Sequence, residues 1–127
     1  MKTNLFIVLS PSSPDPMYKQ VTDQIKDAIA SGDLEPNEKL PSIREMAQAL
    51  DISVITIKRA YLDLETEGFI LTRAGLGCFV AEIDRSILRQ EKLGEFREQL
   101  AAILRTGEKF GIGTDDIKQL IEESEES

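Results

Sequence analysis

The chain has 127 residues, with 15 Lys and Arg against 23 Asp and Glu, no histidine, one cysteine and a net charge of −8. That length holds one domain, or one domain with a small appendage, and the acidic balance excludes a polycation-like nonspecific nucleic-acid binder. A single cysteine excludes an internal disulfide, and no apolar run is long enough to cross a membrane, so a reducing cytoplasm is the expected setting.

The apolar run Leu5-Phe6-Ile7-Val8-Leu9 is too short for a secretory signal and is expected to be a strand pairing with the body of the domain. Three prolines in residues 11–16 forbid helix and sheet alike, so a loop follows. Residues 17–31 read as a helix, with Met17, Val21, Ile25, Ala28 and Ile29 on one stripe and Gly32 just past its end. Residues 33–40 read as a loop anchored by Leu34 and Leu40. A second helix is expected over residues 42–50, where Ser42 and Glu45 have the spacing of a capping box. Its inward stripe is Ile43, Met46, Ala47 and Leu50.

Asp51-Ile52 makes a turn, and Ser53 caps a third helix that reaches about Glu67 and ends at Gly68. Ile57, Ala60, Tyr61 and Leu64 face inward, and Tyr18 and Tyr61 are expected in the core. Residues 69–72 and 78–82 read as two strands; Gly75 and Gly77 between them allow a sharp turn. A long amphipathic helix over residues 84–105 follows, terminated by Gly107, with residues 109–113 as a hinge. Thr114 is expected to cap a last helix that carries Asp115 and Asp116 at its start. The acidic stretch from Glu122 is expected to fray.

Helix, helix, turn, helix and a two-stranded wing is the winged helix-turn-helix order. The fold class is mainly α with a small β-wing: residues 1–83 form the DNA-binding domain and 84–127 a short helical dimerisation region. In this arrangement the third helix lies in a major groove with its N-terminal end toward the bases. Ser53 and Thr56 reach phosphates, and Lys58 and Arg59 point about 100° apart, so one faces DNA while the other flanks it. Arg44 clamps a phosphate or reaches a guanine edge, and Arg73 sits at the wing to enter a minor groove. For any isolated Arg or Lys a solvated surface charge is the plainer reading; the joint spacing weighs against it. Cys78 reads as a small apolar strand residue.

The pattern resembles the DNA-binding domain of GntR-family bacterial transcription regulators. The resemblance rests on Leu40-Pro41-Ser42-x-Arg44-x-x-Ala47, Ser53-x-x-Thr56-Ile57-x-x-Ala60, Leu64-x-x-x-Gly68-Phe69-Ile70 and Gly75-x-Gly77-x-Phe79-Val80, with Tyr18, Ile25, Gly32 and Leu34 before them. The short tail is similar to that of the YtrA subfamily, which implies dimerisation through the tail. The resemblance implies DNA contacts at Ser42, Arg44, Ser53, Thr56, Lys58 and Gly75. Where the family often has polar residues this chain has Val54 and Ile55, which either contact thymine methyl groups or in part pack inward. Cys78 stands where the family often has threonine.

The expected function is a sequence-specific transcription regulator, a repressor acting as a homodimer on a palindromic operator of double-stranded DNA. The alternative is a winged-helix protein-interaction module. An enzyme is not expected: there is no histidine, the cysteine has no partner, and nothing resembles a nucleotide-binding loop. No cofactor or metal is expected. The stripe Leu93, Phe96, Leu100, Ile103 and Leu104 is more than one chain can cover, which argues for the dimer. Any effector, unidentified, is expected between tail and winged helix near Phe96 and Phe110.

Overall fold

A computed structural model describes residues 7–126. The chain folds as two compact units that divide after Arg85. In the first unit, α1 (Met17–Ser31), α2 (Ile43–Leu50) and α3 (Val54–Thr66) are followed by a hairpin of β1 (Ile70–Arg73) and β2 (Gly77–Val80). The second unit contains the bulk of α4 (Arg85–Glu108) and all of α5 (Thr114–Glu125).

The core of the first unit follows the apolar periodicity. Val21 and Ile25 of α1, Met46 and Ala47 of α2, and Ile57, Ala60, Tyr61 and Leu64 of α3 are buried together with Leu34, Leu40, Ile70 and Val80. Ile43 and Leu50 are only half-buried, at the margin of the same core. α1 packs on α3, and α2 packs on α3, so α3 is the central helix of the unit. The Tyr61 hydroxyl donates to the Pro41 carbonyl oxygen at 2.7 Å, tying α3 to the entry of α2.

Burial pushes the Tyr61 phenol well above its ordinary range, with Cys78 and Glu45 adding to the effect. The phenol is neutral in both states below its ordinary pKa of 10.0. Above that, the unfolded chain releases the proton while the folded chain keeps it, so stability falls as pH rises. Tyr61→Phe should cost about 1–2 kcal/mol at neutral pH by stranding the Pro41 carbonyl. It should also remove this alkaline slope. Urea unfolding of both proteins on either side of pH 10 checks the two effects together.

Five local features differ from the expected elements. No strand forms over residues 7–9; Leu5 and Phe6 lie outside the described residues. Val8 instead pairs with the Gln24 side chain: its N–H donates to Oε1 at 2.9 Å and its carbonyl accepts from Nε2 at 2.8 Å. The amide group carries the same donor–acceptor pair as a peptide unit, so it ties the segment to α1 without a neighbouring strand.

The second difference lies in the loop before α2. The N–H groups of Asn37 and Leu40 donate to the carbonyls of Val80 and Cys78, and Val80 N–H donates to Glu38. Residues 37–40 thereby cover the outer edge of β2, with Lys39 bridged to Phe79.

Gly107, third, does not end the long helix. It is a buried residue inside the last turn of α4, where an added Cβ would meet the Ile112 carbonyl oxygen at 2.8 Å. Its small size lets the chain fold back closely, and Gly111 (φ 71°) makes the reversal.

The N-cap of α5 is Gly113 and not Thr114, because the Asp116 carboxylate takes the Gly113 N–H at 2.9 Å. Asp115 and Asp116 stand in the first turn as expected. Last, α5 stays helical to Glu125, with the Ser124 hydroxyl donating to the Leu120 carbonyl.

Candidate nucleic-acid interface

Ser42 caps α2 in a two-way capping box. Its Oγ accepts Glu45 N–H at 3.1 Å, and its N–H donates to Glu45 Oε1 at 2.9 Å. The Ser42 N–H holds the Glu45 carboxyl below the usual glutamate range. Arg44, the second residue of α2, is exposed. Asp51 then reverses the chain in the left-handed region (φ 54°), a conformation that aspartate tolerates. Ser53 caps α3.

Ser53 Oγ accepts Thr56 N–H at 3.2 Å, and the two hydroxyls lie 2.8 Å apart in one hydrogen bond. That bond uses the proton of one hydroxyl and leaves the other free to donate outward. With Ile57, Ala60, Tyr61 and Leu64 buried, α3 turns Val54, Ile55, Lys58 and Arg59 outward. Val54 is 46% exposed and Ile55 79%, so neither packs inward. Among the described residues neither Arg44 nor Lys58 has an ion-pair partner. An open cation near the start of each of two helices, in an otherwise acidic chain, makes an anion-facing surface.

The other two cations are engaged. The Arg59 guanidinium lies 3.7 Å from the centre of the Tyr18 ring, on the flank toward α1. Tyr18 is accordingly half-buried beneath a cation rather than in the core. Arg73 ends β1 and is held against the sheet, 4.5 Å over Phe79, with its Nη2 donating to Asn37 Oδ1 at 3.1 Å. Gly75 is at the exposed tip of the wing. There the Leu76 N–H closes the turn onto the Arg73 carbonyl, and Gly75 takes φ 75° with open space around it. A side chain would be strained at that φ, so position 75 presents backbone, beside the exposed Leu76 side chain.

Lys39 is a further cation that the motif reading passed over. Its side chain runs beside Gly77 in the wing, where an added Cβ would lie 3.0 Å from Cε. The signal available was its place immediately before Leu40-Pro41-Ser42.

In the second unit, Leu93, Phe96, Leu100 and Ile103 of α4 are 38–56% exposed, and Leu104 is half-buried. Leu100 and Ile103 line an open apolar groove of about 420 Å³ with Ile117, Leu120 and Ile121 of α5. Phe110 lines a second groove with Ala102, Gly107 and Ile112; Phe96 is not part of it. No helix among the described residues is long and apolar enough to cross a membrane.

The family model for bacterial regulatory proteins, gntR family, matches residues 17–80. The chain is 32% identical over 117 residues to the HTH-type transcriptional repressor YtrA of Bacillus subtilis, covering 92% of this chain and 90% of that one. A transcriptional regulator from Oenococcus oeni superposes with a TM-score of 0.74 at 27% identity, over 93% of this chain and 98% of its own. The AraR DNA-binding domain in complex with operator ORX1 superposes with a TM-score of 0.53 at 34% identity, over 58% of this chain and 92% of that one. With its winged helix-turn-helix fold, the chain belongs to the GntR family and is a DNA-binding transcription regulator.

Proposed function

We propose that the protein is a cytoplasmic repressor that binds a palindromic operator as a homodimer and blocks transcription by occupying it. The observation that carries this reading is the outward face of α2 and α3: Arg44 stands open at the Ser42-capped start of α2, and Lys58 stands open on α3 just after its Ser53-capped start. Repressor action is supported by the name of the Bacillus subtilis relative, which aligns along nearly the whole chain. The DNA-facing set is Ser42, Arg44, Ser53, Val54, Thr56, Lys58, Arg59, Arg73 and Gly75. Residues 1–83 read DNA and residues 84–127 pair the two copies.

Pairing through the tail is supported by a strict heptad. Leu93, Phe96, Leu100 and Ile103 of α4 alternate three- and four-residue steps, which is the spacing of a coiled-coil seam. The exposed members of that seam and the groove beside Ile117 and Leu120 give an apolar surface that a second copy covers. A winged-helix module for protein interaction has no corresponding support in the relatives.

A salt titration tests the reading. Binding of full-length protein to the duplex that it enriches from a randomised library should weaken steeply with salt as counterions are released. Lys58→Ala should weaken binding to all sequences alike and flatten the slope by about one. Affinity insensitive to salt would contradict DNA recognition and favour an apolar protein interface.

A further inference from the structure

We propose that Val54 and Ile55 read thymine, by packing their side chains on the 5-methyl groups that this base projects into the major groove. The inference rests on the DNA reading of α3 and specifies what that helix recognises. Both residues lie in the first turn of α3, the part of a recognition helix that meets base edges. Both are exposed, Ile55 at 79% and Val54 at 46%, while Ile57, Ala60, Tyr61 and Leu64 occupy the inward face.

The polar capacity around them is partly committed, with one hydroxyl of the Ser53–Thr56 pair still free to donate. The Ser53 and Thr56 hydroxyls bond each other, and the Arg59 guanidinium is stacked on Tyr18. Lys58 lies about 40° around the helix from Val54 and is the open cation on that side. The first turn therefore offers the groove two stiff, branched apolar side chains. Thymine is the one base that answers with an apolar group; guanine, adenine and cytosine present donors and acceptors there. Each half-site is accordingly expected to carry thymine where Val54 and Ile55 approach, and cytosine there is disfavoured because it lacks the methyl group.

The test changes the DNA and leaves the protein intact. The full-length chain is used to enrich a duplex from a randomised library. That duplex is then remade with deoxyuridine replacing one thymine at a time in both strands. Deoxyuridine keeps every hydrogen-bonding group and loses only the methyl. At one or two thymines in each half-site the replacement should weaken binding about fourfold per methyl lost, the equivalent of one buried methyl group. In the Val54→Ala/Ile55→Ala double variant the same replacements should leave affinity unchanged. Folding of that variant is checked by its helical circular dichroism. The proposal is overturned if deoxyuridine is tolerated at every thymine, or if it costs the same in wild type and variant. Failure to enrich any duplex would overturn the DNA reading itself, and this inference with it.

Discussion

Replacing Leu100 and Ile103 together with aspartate should convert the protein to a monomer and lower its operator affinity about a hundredfold or more. Each side chain is half-exposed in the single chain, on the seam shared with Leu93 and Phe96. Covering each large apolar side chain contributes about 1.5–3 kcal/mol, and four aspartates facing one another in a dimer would repel. Operator affinity falls with the dimer because two linked reading heads make the second contact intramolecular, a gain of about 10²–10⁴. The first unit should keep its fold, since its buried core lies wholly within residues 20–80. Sedimentation at micromolar concentration, together with anisotropy binding to the enriched duplex, measures both effects. A wild-type monomer that binds as tightly as the variant would remove the tail from the account.

Arg44→Ala should cost about 1–3 kcal/mol of operator binding and relax specificity at one base pair in each half-site, if the guanidinium reads a base edge. The side chain is exposed and makes no ion pair among the described residues, so thermal stability should be unchanged. The contrast with Lys58→Ala is informative. A phosphate contact lowers affinity for every sequence, whereas a base contact lowers the ratio of specific to nonspecific binding. Competition between the enriched duplex and a scrambled one measures that ratio directly. Equal losses on both duplexes would assign Arg44 to the backbone.

The winged helix was legible because its signals are local. The Ser42–Glu45 box, the Ser53 cap and the stripe Ile57, Ala60, Tyr61 and Leu64 each follow from backbone hydrogen bonding or helical periodicity, and each stands where expected. What escaped depends on contacts distant in sequence. The cover that residues 37–40 give to β2 joins positions 38 to 43 residues apart, with no periodicity to announce it. Gly107 reads as a stop by composition, yet close packing of Ile112 makes it a necessary interior residue of α4. Thr114 looked like a cap by residue type, and Asp116 decided the matter by taking the Gly113 N–H.

In the reading face, the positions of Arg44 and Lys58 followed from helix geometry. The stacking of Arg59 on Tyr18 and the restraint of Arg73 by Asn37 and Phe79 did not, because side-chain partners on other elements set them. The exposure of Val54 and Ile55 was open in the sequence for a related reason. Apolar side chains at a helix start are compatible with a core or a groove, and only packing chooses.

Hydroxyl-radical footprinting of the full-length chain on its enriched duplex tests the central claim most directly. Two protected segments related by a two-fold axis are expected, with centres one helical turn apart or a whole multiple of it. Both should disappear in an Arg44→Ala/Thr56→Ala double variant that retains its helical circular dichroism and its dimer mass. A footprint unchanged in that variant, or one confined to a single half-site, would contradict a homodimer reading DNA through α2 and α3.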